Sequence, residues 1–376
     1  GAATVVEPAA AAAAAVLSAA EPAQAPSRAT LHRGKPPSTA QHAGAPPPNH
    51  RQRQQPACEL GWRADVHADY LVGDVIGSGA FGVVRAGVCK SSGQMVAIKC
   101  MQKTRANQSR DITIGKVQRE AAALLRAQRC PTVVRMLGRF EDAEGVQIVM
   151  ELCKGGDLRR HVERYGTLDE PSLAIVAWQV LSMLQACHRL GILYSDVKPG
   201  NFCFVREERR ALGDPHASGA GVPLRIKAVD FGCSQLVGKG RLSKRTGTLA
   251  YMAPEVFQQN YSYKVDVWST GMMLHWLYTG RLPIWPNGDP KSGRTVEQMT
   301  ELLADADFSL TGPQWRSMSA EGLSFLRALL THDEGDRLGV ADALAHPWLA
   351  RHAGPWAERH AADLATYGTA APVRVL

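Results

Sequence analysis

An α+β fold in two lobes, a small β-rich first lobe with one main helix and a larger, mainly helical second lobe, is predicted by three observations. Between residues 70 and 101, apolar and polar residues alternate around glycine-rich turns, the period of half-buried strands. A helical repeat follows at 116–128, where Val117, Ala121, Leu124 and Leu125 share one face. Past residue 153 the apolar spacing lengthens, and a clear amphipathic helix runs from about Ser172 to Leu190, started by Asp169, Glu170 and Pro171. At 376 residues the chain is long enough to bury a core in each lobe.

The first 57 or so residues are different in kind. An Ala run (Ala9 to Ala15) gives way to Pro, Gln, Ser, Arg and His with almost no large apolar groups. Such a segment cannot offset its ordering entropy by burial, so 1–57 is expected to be low-complexity and disordered. Its scarcity of acids resembles an organelle leader, against which Glu7 and Glu21 stand, and the expected localisation is cytoplasmic or organellar, plastid or mitochondrial. From Tyr70, "YLVGDVIGSGAFGVVRAGVCK" reads as two strands around a glycine turn. "MVAIKCM" is a third strand, and 146–151 a further one. The first lobe then covers 70–152, the second 153–349, and a C-terminal tail 350–376. No internal repeat is visible.

No segment approaches the roughly 20 apolar residues that span a bilayer, so a soluble protein without a membrane partner is expected. The formal charge of +8 favours phosphorylated or acidic ligands. Arg and Lys are nevertheless scattered, not gathered into basic blocks with interleaved aromatics, and nucleic acid is not expected as a partner. The eight cysteines, at 58, 89, 100, 130, 153, 187, 203 and 233, show no CxxC pair and no metal-ligand spacing. Free thiols in a reducing compartment are the expectation.

Four short stretches carry chemistry. In "GSGAFGVV", Gly77, Gly79 and Gly82 free the backbone to approach phosphates, although a glycine triplet alone also suits a hairpin with no ligand. Lys99, on the next strand, can reach phosphate oxygens as a point charge, or snorkel to the surface. Its place in an apolar strand calls for a counter-ion, and Glu120 on the polar side of the following helix is the candidate; a solvated Glu120 paired with Lys116 is the plainer alternative. In "GILYSDVKPGN", Asp196 could accept or align a hydroxyl proton, Lys198 could neutralise a transferring phosphoryl group, and Asn201 could offer an oxygen to a divalent cation. A polar loop that only caps its own backbone would look similar. "DFG", beginning at Asp230, adds a second oxygen ligand after the strand-like "LRIKAVD".

In this order, the stretches match the working parts of phosphoryl transfer, and residues 70–349 resemble a eukaryotic protein kinase domain of the serine/threonine type. They are most similar to the calcium- and calmodulin-dependent and calcium-dependent group. The resemblance implies a bilobal fold that transfers the γ-phosphate of ATP, with Mg2+, to Ser/Thr hydroxyls of protein substrates, in a chain expected to be monomeric. It makes Gly77, Gly79 and Gly82 the phosphate-covering loop, with Val84 and Ala97 against adenine, and Lys99 the holder of the α and β phosphates, paired with Glu120. "VMELCKGGDL" resembles the hinge: Met150 guards the pocket, and Glu151 to Cys153 offer backbone hydrogen bonds to adenine. Asp196 becomes the catalytic aspartate with Lys198 beside it, and Asn201 and Asp230 the magnesium ligands. "APE" ends at Glu255, which in the family pairs with an arginine matching Arg337, while Asp266 anchors the catalytic loop from below. Lys198 and Thr248 resemble the serine/threonine pattern. Asp157 sits where many basophilic members meet an arginine upstream of the phosphorylated residue; it would equally serve as a helix N-cap. The alternative function is a pseudokinase, a nucleotide-binding or empty scaffold acting through partners.

The chain departs from the pattern in three places. His-Arg-Asp is replaced by Tyr194, Ser195 and Asp196, and the usual phosphate position, three residues before Gly247, holds Lys244. Loss of a cation together with loss of its anion leads us to expect a catalytic loop held by Asp266 and local packing, active without a phosphate there, with Thr246 and Ser243 as lesser modification sites. Lys244 as an ordinary solvated loop residue is the plain alternative. The stretch of about 206–223 has loop composition and reads as an insertion between two strands. No DxDxDG calcium loop occurs in the sequence.

Overall fold

The computed structural model describes residues 58–79, 82–104, 109–206, 224–238, 240–284, 295–306 and 308–361. The expected disordered segment 1–57 and nearly all of the expected insertion lie outside the described residues.

In the first lobe, β1 (Tyr70–Gly79), β2 (Gly82–Cys89), β3 (Met95–Gln102), β4 (Met136–Glu141) and β5 (Gly145–Glu151) form one antiparallel sheet in the order β1-β2-β3-β5-β4. β4 was not anticipated, because "MLGRFE" carries a glycine and two charges within six residues and shows little strand pattern. The register sets Lys99 opposite Val84 and Ile148, and Ala97 opposite Ala86 and Met150. A single turn, α1 (Val66–Asp69), precedes the sheet.

The main helix of this lobe, α2 (Arg110–Ala127), starts before the 116 expected from periodicity. Ser109 caps it, its hydroxyl accepting from the Ile112 N–H at 3.4 Å, while Ile112, Thr113, Ile114 and Gly115 blur the helical signal. Val117, Ala121 and Leu124 are buried and Leu125 only half-buried. Glu120, expected on a polar face, is only 6% exposed. It turns beneath the sheet towards Lys99 instead of outward.

The chain ahead of β1 is fastened by Glu141, a fully buried carboxylate. It accepts from the backbone N–H groups of Glu59 (2.7 Å), Leu60 (3.1 Å) and Trp62 (3.3 Å), and from Lys103 Nζ at 2.6 Å. Trp62 sinks into the same cluster as Val117 and Ala121, and Arg110 at the start of α2 pairs with Glu59 at 2.6 Å. Packing therefore extends ahead of residue 70.

The second lobe contains α3 (Leu158–Tyr165), α4 (Glu170–Arg189), α5 (Pro254–Phe257), α6 (Lys264–Thr279), α7 (Val296–Asp305), α8 (Ala320–Leu329), α9 (Val340–Leu344), α10 (Pro347–His352) and α11 (Gly354–Arg359). Two small antiparallel pairs lie at its upper edge, β6 (Ile192–Leu193) with β9 (Gln235–Leu236), and β7 (Phe202–Phe204) with β8 (Ile226–Ala228). Asp169 caps α4 by accepting from the Ser172 N–H at 3.0 Å, with Pro171 in the first turn. Leu173, Val176, Val180, Leu181 and Leu184 on this helix are all fully buried. Each such side chain contributes roughly 1.5–3 kcal/mol, against about 0–1 kcal/mol for a surface ion pair, so α4 is the spine of the lobe.

Glu255 and Arg337 form the expected bidentate pair at 2.5 and 3.0 Å, with the guanidinium stacked 5.0 Å from the Trp268 ring centre. The stretch assigned to a tail from 350 begins as packed helix: Trp356 is 4% exposed and meets Trp178 of α4 edge-on at 5.8 Å. Residues 362–376 lie outside the described residues. No described helix is long and apolar enough to cross a membrane.

Candidate active site

Between the lobes, one lysine lies between two carboxylates. β3 delivers Lys99, whose Nζ is 2.5 Å from Glu120 Oε1 on α2 and 2.8 Å from Asp230 Oδ1, just after β8. Burial disfavours the Lys99 ammonium, but Glu120 and Asp230 together outweigh it and hold its pKa above the usual lysine range. Burial pushes Glu120 up against the pull of Lys99, and the Asp230 charge adds to the rise. Burial opposes ionisation of Asp230 too, yet Lys99 and the Gly232 N–H, 2.9 Å from Oδ1, keep it below the ordinary carboxylate value. The sequence alternative of a solvated Glu120 is thereby set aside.

A second cluster surrounds Asp196. Asn201 Nδ2 donates to its backbone oxygen and to its Oδ2, both at 2.9 Å, Lys198 Nζ stands 2.8 Å from Oδ2, and the Thr248 hydroxyl donates to Oδ1 at 2.6 Å. Lys198 also donates to the Thr248 hydroxyl at 2.7 Å. The four residues, drawn from two loops, brace one another with Asp196 only 7% exposed. Both carboxylate oxygens are thus oriented before any ligand arrives.

The turn that carries Asp196 is held from beneath. Asp266 on α6 is fully buried and accepts from His188 Nε2 (2.8 Å), the Tyr194 N–H (3.0 Å) and the Ser195 N–H (2.8 Å). Tyr194 fills the core beside Phe231, edge-on at 5.2 Å. Ser195 takes a positive φ of 67°. That left-handed conformation costs a non-glycine residue of order 1 kcal/mol, and the two backbone bonds to Asp266 supply the restraint.

Of the three glycines at the end of β1 and the start of β2, only Gly82 is sterically required: its φ is 146°, and a Cβ there would fall 2.2 Å from the Cys100 carbonyl oxygen. Gly77 and Gly79 have room for a side chain in this arrangement. Val84 is half-buried and Ala97 buried on the strands that roof the cleft. At the hinge, the Glu151 N–H donates to Arg135 O at 3.0 Å, and its carboxylate binds the Arg135 N–H and Lys227. Its side chain is therefore committed inward. Burial, reinforced by the Glu151 charge, pushes the Cys153 thiol up to about 12, which leaves the thiol unreactive.

Asp157 is the N-cap of α3: Oδ1 accepts from the Arg160 N–H at 2.9 Å and Oδ2 pairs with Arg160 at 3.5 Å. The capping role is realised, with the carboxylate half-buried and paired with Arg160. Sequence reasoning missed His188, Lys227 and Gln235, each an ordinary polar residue whose partners lie at least 11 positions away.

A family model described as "Protein kinase domain" matches residues 70–349. Among curated proteins the chain is 31% identical over 286 residues to Calcium-dependent protein kinase 29 of Arabidopsis thaliana, covering 76% of this chain and 49% of that protein. It is 34% identical over 295 residues to Calcium/calmodulin-dependent serine/threonine-protein kinase 1 of Oryza sativa subsp. japonica, covering 77% and 46%. CDPK-related kinase 5 of Arabidopsis thaliana is 33% identical over 295 residues, covering 77% and 45%. The chain spans about half the length of the curated relatives it matches. A lysine between two acids, a braced aspartate beneath it and a match running through both lobes place the chain in the protein kinase family.

Proposed function

We propose that this chain is an ATP-dependent serine/threonine protein kinase acting on protein hydroxyls. The observation that carries the reading is the convergence of two prepared clusters, Lys99–Glu120–Asp230 and Asp196–Lys198–Asn201–Thr248, on one cleft. Two lysines face three carboxylates there, an excess of negative charge suited to a cation. The oxygen donors, the Asp230 carboxylate and the Asn201 amide oxygen, are the hard ligands that Mg2+ takes. Magnesium bound there would neutralise charge on the phosphates of ATP.

In this reading Lys99, held in register by Glu120, grips the α and β phosphates, and Gly77, Gly79 and Gly82 cover them. Val84 and Ala97 face adenine from above, while the backbone of Glu151 and Cys153 offers it hydrogen bonds. Asp196 orients the incoming hydroxyl, its second oxygen held by Asn201 and Lys198 so that the free direction is fixed. Lys198 offsets charge at the transferred group, and Thr248 ties the substrate-facing segment to the catalytic aspartate. A preference for basic residues upstream of the acceptor rests on the carboxylate of Asp157, partly open to solvent at the start of α3.

The test is phosphate transfer from labelled ATP with magnesium onto an arrayed peptide library, beside Asp196→Asn. Wild-type turnover on Ser/Thr peptides, lowered about 10²-fold or more in the variant with ATP affinity kept, is expected. Equal transfer by both proteins in a single turnover would sink the assignment. Binding of ATP without any transfer by the wild type would favour the scaffold reading.

A further inference from the structure

Ser195 precedes the aspartate where the family carries arginine, and the structure shows what meets it. Gln235 Nε2, from β9, lies 3.2 Å from Ser195 Oγ, 3.2 Å from Thr246 Oγ1 and 3.0 Å from the Tyr261 hydroxyl. The Thr246 hydroxyl donates to the Cys233 carbonyl at 3.3 Å, and the Tyr261 hydroxyl donates to the Lys244 carbonyl. Both hydroxyl protons are spent on carbonyls, so both oxygens must accept, and the amide nitrogen of Gln235, not its oxygen, has to face them.

This uncharged hub stands on both sides of Asp196. Through Ser195 it touches the residue before the aspartate, and through Thr246 it steadies the segment whose Thr248 donates to Asp196 Oδ1 at 2.6 Å. The two segments are also in direct contact. Gly247 has a φ of 112°, and a Cβ on it would fall 2.2 Å from the Ser195 carbonyl oxygen. The Lys244 side chain is exposed while its carbonyl is gripped, so the cation at this place points to solvent and the backbone does the binding.

We infer that Gln235 is a positioning residue for the proposed transfer reaction: its amide donors lock the Ser195 turn and the 244–248 segment into one arrangement with no anion. This rests on the kinase reading and adds how its catalytic loop is held. The donors matter, not the side chain's bulk. A carboxylate of the same shape would confront oxygens that need a donor, whereas an ammonium would supply donors to all three.

Three variants of the full chain separate these cases: Gln235→Glu, Gln235→Leu and Gln235→Lys. The first two are expected to lower kcat about 10- to 10²-fold, as displaced catalytic geometry does, with KM for ATP unchanged. They should also speed amide hydrogen exchange at 244–248 without a matching fall in melting temperature. Gln235→Lys should keep most of the activity and the slow exchange, and phosphatase treatment of the wild type should leave kcat unchanged. The inference is overturned if Glu, Leu and Lys behave alike, or if phosphatase treatment removes activity by clearing a phosphate mapped to 243–246. Should the wild type transfer no phosphate, the kinase reading fails, and exchange at 244–248 in the same variants still decides whether Gln235 holds that segment.

Discussion

Lys99, within β3, and Lys103, just past its end, each grip a buried glutamate, at 2.5 Å for Glu120 and 2.6 Å for Glu141. The two pairs look alike by burial and distance and differ in what else reaches the carboxylate. At Glu141, burial would raise the pKa, but Lys103 and the N–H groups of Leu60, Trp62 and Glu59 outweigh it and leave the acid lowered. Glu120 shares its lysine with Asp230 and ends up raised. A saturated anion is architecture; an under-supplied one, across a cleft from a second acid, can hold its lysine in place for a ligand.

The largest expected effect falls on the saturated pair. Glu141→Gln strands the Lys103 ammonium in a site about 1% exposed and turns one of the two oxygens that serve Lys103 and three backbone N–H groups into an NH2 donor. Stability should drop by about 3–5 kcal/mol, read by urea denaturation, as when one partner of a buried ion pair is deleted. A loss below 1 kcal/mol would erase the distinction between the pairs. Lys99→Met should instead lower turnover about 10²- to 10³-fold, the scale of losing a preorganised electrostatic contact, with a smaller change in stability because Glu120 can take up a proton.

The two acids should also respond to pH with opposite sign. Glu141 has a lowered folded pKa, so its contribution is present above the unfolded carboxyl value of about 4.3 and fades as pH falls through the folded value. Glu120 has a raised folded pKa, so its contribution is present at low pH and is lost as pH rises from about 4.3 through the folded value. Denaturation at several pH values should therefore show the stability gap between wild type and Glu141→Gln shrinking in acid. The gap to Glu120→Gln should move in the wild type's favour over the same change. Parallel trends would contradict the difference in environment.

The smallest effect concerns a third acid, outside both pairs. Asp157→Asn keeps a helix cap and removes the charge. It should lower kcat/KM on arginine-containing peptides by roughly 5- to 30-fold, the scale of a charge-assisted contact near 1–2 kcal/mol, and barely alter arginine-free peptides. Equal behaviour on both sets would leave Asp157 as a cap alone.

What could be read from sequence alone follows from locality. Lys99, Asp196, Asn201 and Asp230 sit in short stretches where chemistry demands a residue type at a given spacing. The long period of α4 and the alternation of β1 to β3 are likewise local. Gln235 and Tyr261 are ordinary residues that acquire roles only when segments 11 to 40 positions apart meet. Trp62 and Glu141 escaped for the same reason at a separation of 79. β4 was hidden because its identity comes from pairing with β5, not from its own composition.

The clasp at Glu141 also sets an order of events during synthesis. Glu59 leaves the ribosome 82 residues before the carboxylate that will bind its N–H. At about 5–20 residues per second, the leading segment waits roughly 4 to 16 s without its partner. Through that interval Trp62 has no finished pocket, since the wall formed by α2 and β4 has not been made. The first described residues of the chain are thus among the last of their lobe to find their places, and a chaperone that shields one tryptophan for seconds would act there.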